Sequence, residues 1–169
     1  MKPWLALPLA LVLAAHSWAR PYYAPAGEMV RRSEFIAIVD VQRVRAVDAR
    51  GGSWRYAQAA DAVVLRTYKG RLPARIAIHA QEDFICTQVD FRPGRYLVFL
   101  RRDGELLAGS NWYLSARPIR DGAVEWYANP AASGSDESRI PLRPYPLARV
   151  IAEIRRHQAS ARTVSSGRT

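Results

Sequence analysis

The chain reads as a mainly β domain of the small-barrel type, five or six strands with a helix at each end. Three observations predict this. Branched and aromatic residues gather in short runs with a period of two, from Phe35-Ile36-Ala37-Ile38-Val39 to Tyr96-Leu97-Val98-Phe99-Leu100. Turn-forming pairs separate those runs: Gly51-Gly52, Pro93-Gly94, Asp103-Gly104 and Asp121-Gly122. A sustained helical period occurs only near the C-terminus. Closure into a barrel also removes exposed strand edges at this size. A two-sheet sandwich satisfies the same pattern.

The first nineteen residues read as a leader. Lys2 supplies a positive start, Trp4 to Ala15 is almost unbroken apolar sequence, and Ser17-Trp18-Ala19 puts small residues three and one before a cut after Ala19. The apolar run falls short of the roughly 20 residues a membrane span needs. The expected mature chain starts at Arg20, carries no transmembrane segment, and is exported to a periplasm or the medium. Its 150 residues suit one domain over 20–158 with a flexible tail at 159–169.

Residues 20–27 are Pro- and aromatic-rich and read as extended. Glu28 to Ser33 predicts one or two helical turns with Met29 and Val30 inward. Phe35 to Val41 alternates as a strand; past Arg43 the apolar set shifts to Val44 and Ala46, which predicts a β-bulge. Arg55 to Tyr68 is a second long strand, with Ala62-Val63-Val64-Leu65 expected to be buried on both faces. Arg75 to Ala80 alternates, Ile76, Ile78 and Ala80 opposite His79. Gln81 to Thr87 is irregular. Tyr96 to Leu100, apolar throughout, predicts a central strand. Leu106-Leu107-Ala108 follows a turn, and Trp112-Tyr113-Leu114 opens another extended stretch. Asp121-Gly122 between Ile119 and Val124 predicts a type I′ hairpin. Residues 129–145 read as loop. Leu147, Val150, Ile151 and Ile154 then recur at helical spacing over about three turns, with Arg149, Glu153 and Arg156 facing away and Pro146 near the start.

The full sequence carries a formal charge of +10; without Lys2 it is +9, and Lys69 is the single lysine left among arginines. Attraction to a polyanion, an acidic polysaccharide or anionic lipid, is one reading. An arginine-biased composition is the other, because the cations are scattered rather than gathered in a run. Export argues against nucleic acid as a partner. Cys86 is the only cysteine, so it closes no internal bridge. It is either a buried small hydrophobe or half of an intermolecular pair.

Several segments together carry a family likeness. Arg32-Ser33-Glu34-Phe35-Ile36-Ala37-Ile38-Val39, then Val64-Leu65-Arg66-Thr67-Tyr68-Lys69-Gly70, then Cys86, then Pro93-Gly94-Arg95-Tyr96-Leu97-Val98-Phe99-Leu100 resemble bacterial relatives of the tissue inhibitors of metalloproteinases. These belong to the netrin-like group of OB-fold proteins. The likeness covers about residues 28–115 and implies an OB-like β-barrel with accessory helices, used for binding. In the animal inhibitors an amino-terminal cysteine grips the protease's zinc. The start expected here, Arg20, has no cysteine beside it, so that mechanism does not carry over.

Catalytic patterns are sparse. His79 and His157 are the only histidines after residue 19. No spacing of His, Cys or acidic residues predicts a metal site or a cofactor. Cys86 with His79 as base is the one conceivable nucleophile pair, set against a core cysteine and a sheet-face histidine. Glu82, Asp83 and Glu125 are the carboxylates available for paired acid–base work. Binding residues are better represented. Trp112, Tyr113, Trp126 and Tyr127 flank the expected hairpin, and Arg101, Arg102, Arg117 and Arg120 are near them in sequence. Aromatics beside arginines stack on sugars or anchor a protein partner; alternatively the tryptophans pack inside under the arginine stems. The expected function is therefore an exported, non-enzymatic binding module with a protein or envelope partner. A polyanion binder using these Arg and aromatic residues and a Cys86 thiol enzyme are the alternatives.

Overall fold

A computed structural model describes residues 22–83, 89–134 and 140–166, the last six by backbone alone. The expected leader, the start at Arg20, and Cys86 lie outside the described residues.

The chain opens with α1 (Ala26–Arg32), then β1 (Phe35–Arg50), β2 (Arg55–Lys69), β3 (Arg75–Glu82), β4 (Gly94–Asp103), β5 (Leu106–Gly109), β6 (Ala116–Arg120), β7 (Ala123–Tyr127), β8 (Leu142–Pro146) and α2 (Leu147–Ser166). Five strands close on themselves. β1 pairs antiparallel with β2, β2 with β3, β3 runs parallel to β5, β5 pairs with β4, and β4 returns to β1. Strands β6, β7 and β8 extend the sheet from β4. The protein is thus mainly β, with a closed five-strand ring, a short helix before it and a longer one after. Among the described residues eight strands form rather than five or six; the surplus lies in the extension.

β1 serves two partners because it bends. Its pairing with β2 skips Gln42, so Val41 faces Ala62 and Arg43 faces Asp61. That is the expected bulge. Before it, Val39 lies between Val64 of β2 and Tyr96 of β4. Burial follows the period of two: Ala37, Val39 and Val41 meet Ala60, Ala62, Ile76, Ile78, Ala80, Val98 and Leu100 inside the ring. The opposite faces of β1 and β4 carry Ile36, Leu97 and Phe99 into a second core with Met29 and Val30 of α1, Trp126 of β7, and Val150, Ile151 and Ile154 of α2. Two cores on two faces explain why Tyr96 to Leu100 is buried throughout. Each fully buried aliphatic side chain of α2 contributes about 1.5–3 kcal/mol.

The Tyr68-Lys69-Gly70 strand end has a physical reason. The Lys69 ammonium donates to the carbonyls of Val30 (2.8 Å) and Arg31 (2.9 Å), which the end of α1 leaves without helical donors. Gly70 sits at φ +72°, and a Cβ there would lie 2.5 Å from the Phe35 ring and 2.6 Å from the Glu34 carbonyl. Glycine is required on both counts.

Four expectations are corrected. Leu65 is exposed, because β3 reaches only to Val63 of β2 and the end of β2 has no neighbour on that side. Leu142–Pro146 is a strand rather than loop; Pro144 and Pro146, which lack an N–H, are tolerated because β8 is an edge strand paired only with β7. The helix α2 runs for 20 residues, through the segment 159–166 expected as tail. Trp112 to Leu114 is a tight turn, with Ser115 N–H bonded to the Trp112 carbonyl at 2.9 Å. The hairpin does form at Asp121 and Gly122, both at positive φ (49° and 72°), as a type I′ turn requires.

Candidate functional site

The most strongly constructed surface lies at one mouth of the ring, where two loops meet the N-terminal segment. The β1–β2 loop is held by one carboxylate. Asp103, at the end of β4, accepts from the backbone N–H of Ser53 (2.7 Å) and Trp54 (3.1 Å) and from the Tyr56 hydroxyl (2.8 Å). Burial acts to raise the Asp103 pKa, but these donors outweigh it and hold it below the ordinary aspartate range. The approach is close enough that a Cβ on Gly51 would fall 2.2 Å from Asp103 Oδ2. Gly51-Gly52 therefore marks a close contact as well as a turn. The loop presents Trp54.

The second wall comes from the turn after β5. Asn111 clamps the N-terminal segment: its Oδ1 accepts from Ala24 N–H (3.0 Å), and its amide donates to the Ala24 carbonyl (3.2 Å) and the Tyr127 hydroxyl (3.1 Å). Tyr127 passes its own hydroxyl to the same Ala24 carbonyl at 2.8 Å. Trp112, next in line, has φ +49°. A bulky side chain in the left-handed region costs of order 1–3 kcal/mol and persists only where the surroundings enforce it. Its indole donates to the Tyr22 carbonyl at 3.2 Å and meets Trp54 edge to face, 6.0 Å between ring centres at 69°. Among the described residues three non-glycines have positive φ, and of these Asp121 serves the hairpin. Gln81 (φ 54°) and Trp112 adjoin this mouth.

Between the two walls is a cleft of about 600 Å³. Arg101 of β4, Arg32 of α1 and Glu82 at the end of β3 also line it. Arg32 forms an i,i+4 ion pair with Glu28. Glu82 is 4% exposed, and burial pushes its carboxyl up. The volume falls within the range of small-ligand sites.

Sequence reading placed eight residues in a binding surface; two of them, Trp112 and Arg101, line the cleft. Trp126 is core, stacked on Phe99 at 5.4 Å, its indole N–H donated to Glu153 Oε1 at 3.0 Å. Glu153 thus faces Trp126 and not solvent. Tyr113 packs edge to face on Tyr23. Arg117 is buried, bonded to the Glu125 carboxylate at 2.7 Å and its backbone carbonyl at 3.2 Å. Arg102 lies over the Phe35 ring, and Arg120 sits at the β6–β7 turn, away from the cleft. Tyr127 is buried in the Asn111 network. The period-two pattern of β7 explains Trp126, which shares a buried face with Val124. Trp54 was missed. The available signal was an aromatic residue closing a Gly-Gly-Ser loop.

The remaining chemistry is dispersed. His79 packs on the Tyr56 ring at 5.9 Å, and burial lowers its pKa. Glu125 is committed to Arg117, and Asp83 is exposed. Among the described residues no three His, Cys, Asp or Glu side chains gather to hold a metal. Among them, too, no helix is long and apolar enough to cross a membrane. No family model, no curated protein and no solved structure matches this chain.

Proposed function

We propose that the chain is an exported, non-enzymatic binding module, distantly akin to the netrin-like proteins, that engages a protein or envelope partner through the Trp54–Trp112 cleft. The observation that carries this reading is the left-handed backbone of Trp112. A fold that maintains so costly a conformation in order to aim an indole at a cleft uses that indole for contact. Tryptophan is also the residue type most enriched among the anchors of protein interfaces. The test is affinity capture from an envelope extract, run beside a Trp54→Ala/Trp112→Ala variant. A partner retained by the native chain and lost with the variant supports the reading. Equal recovery on both, or on an unrelated basic protein, refutes it.

A polyanion reading draws on α2, whose Arg149, Arg155 and Arg156 all face solvent. It requires affinity that falls steeply with salt.

A further inference from the structure

Arg101 differs from the other cations of the cleft. Its guanidinium offers five N–H donors in a planar fork. Among the described residues it closes no hydrogen bond or ion pair, and its attraction is to the neighbouring Glu82. No described carboxylate hydrogen-bonds it. Asp103 spends both oxygens on Ser53, Trp54 and Tyr56. Glu82, buried beside it, attracts it across space without a hydrogen bond to its guanidinium. Arg32, on the far rim, is already paired with Glu28. One half-buried cation with unused donors therefore faces the cleft.

The indoles define the rest. An edge-to-face pair at 69° makes a corner, two apolar walls that enclose a single aliphatic or aromatic side chain. A sugar ring stacks instead on one open aromatic face, and here the edge of one indole covers the face of the other.

Resting on the reading that this cleft is a binding site, we infer that its ligand is a polypeptide segment bearing a carboxylate beside an apolar residue. The carboxylate meets the Arg101 fork, and the apolar side chain fills the Trp54–Trp112 corner. Bidentate pairing is what distinguishes arginine from lysine at such a site.

The experiment uses the full chain and fluorescent heptapeptide pools, acetylated and amidated, with random flanks around a central Glu-Leu, Gln-Leu or Lys-Leu. An oligogalacturonate serves as a sugar carboxylate. Binding is read by anisotropy at physiological ionic strength. The Glu-Leu pool is expected to bind about tenfold or more tighter than Gln-Leu. Arg101→Gln removes that difference, and Arg101→Lys restores only part of it. Equal affinity for the Glu-Leu and Gln-Leu pools overturns the inference. So does an unchanged preference in Arg101→Gln. Tighter, Arg101-dependent binding of the oligogalacturonate assigns the carboxylate to a sugar and overturns it too. Should Arg101→Gln fail to fold, the pool comparison on the native chain decides alone. If the double tryptophan variant loses the captured partner while Arg101→Gln keeps it, the binding site stands and the carboxylate assignment falls. If neither variant alters either assay, both fall.

Discussion

The Tyr56 hydroxyl donates to Asp103 Oδ2 at 2.8 Å, inside the mouth of the ring. The bond links β2 to β4, two strands that are not neighbours in the sheet. It also completes the set of donors that fixes Trp54. Burial, with Asp103 adding to it, pushes the Tyr56 pKa far above its ordinary value, so the phenol remains a donor at every physiological pH.

Asp103→Asn should destabilise the fold by about 2–3 kcal/mol at neutral pH, since an amide sets its NH₂ against donors that a carboxylate accepts. The folded pKa is depressed. The stabilisation is therefore present above the unfolded value of about 3.9 and is lost as pH falls through the folded value. Urea denaturation at a series of pH values should show the native advantage over Asp103→Asn narrowing below about pH 4.

Glu82 carries the opposite sign. Its folded pKa is raised by burial, so ionisation costs stability once pH exceeds the unfolded value of about 4.3. Glu82→Gln should melt at or above the native temperature at pH 7, with the margin shrinking toward pH 4. A margin that grows on acidification contradicts the assignment.

Lys69→Met should cost about 1–2 kcal/mol by loss of the two capping bonds to Val30 and Arg31. Chemical denaturation measures it. Hydrogen exchange should show the last turn of α1 opening first.

Gly70 and Gly122 share φ +72°, yet their surroundings differ: the Phe35 ring and Glu34 carbonyl crowd one, and nothing lies within 4 Å of the other. Gly122→Ala should cost about 1 kcal/mol, the conformational penalty alone. Gly70→Ala should cost clearly more, because backbone must shift as well. Equal losses in parallel melts would show that the contacts at Gly70 are slack.

Trp126→Ala should lose about 3–5 kcal/mol, the cost of emptying a large core site. Trp54→Ala, half-buried at the cleft, should lose much less and affect binding instead. Comparing melting midpoints of the two variants tests the division between core and cleft.

Much of the ring was legible from local chemistry. Alternation in Arg75 to Ala80, the phase change after Arg43, and the Asp121-Gly122 turn each state a backbone geometry within a few residues. The long apolar run at Tyr96 to Leu100 announced a central strand. Leu142–Pro146 was not legible, because its prolines forbid a central strand and only the free edge beside β7 admits them. Nor was the turn at Trp112, which obeys no local preference and is imposed by the Asn111 clamp and the contact with Trp54.

By itself the order of residues determined where the main strands of the ring run, where β1 bends and where the Asp121-Gly122 hairpin turns, because those depend on side-chain period and on which residues tolerate each backbone conformation. Only the tertiary structure decided which tryptophan is core and which lines a cleft. The same applies to which arginine is spent on a carboxylate and which keeps its donors. Both depend on neighbours far away in sequence: Glu153 reaches across 27 residues to Trp126, and Asp103 across 50 to Ser53. Contacts of that kind arise only when the ring closes.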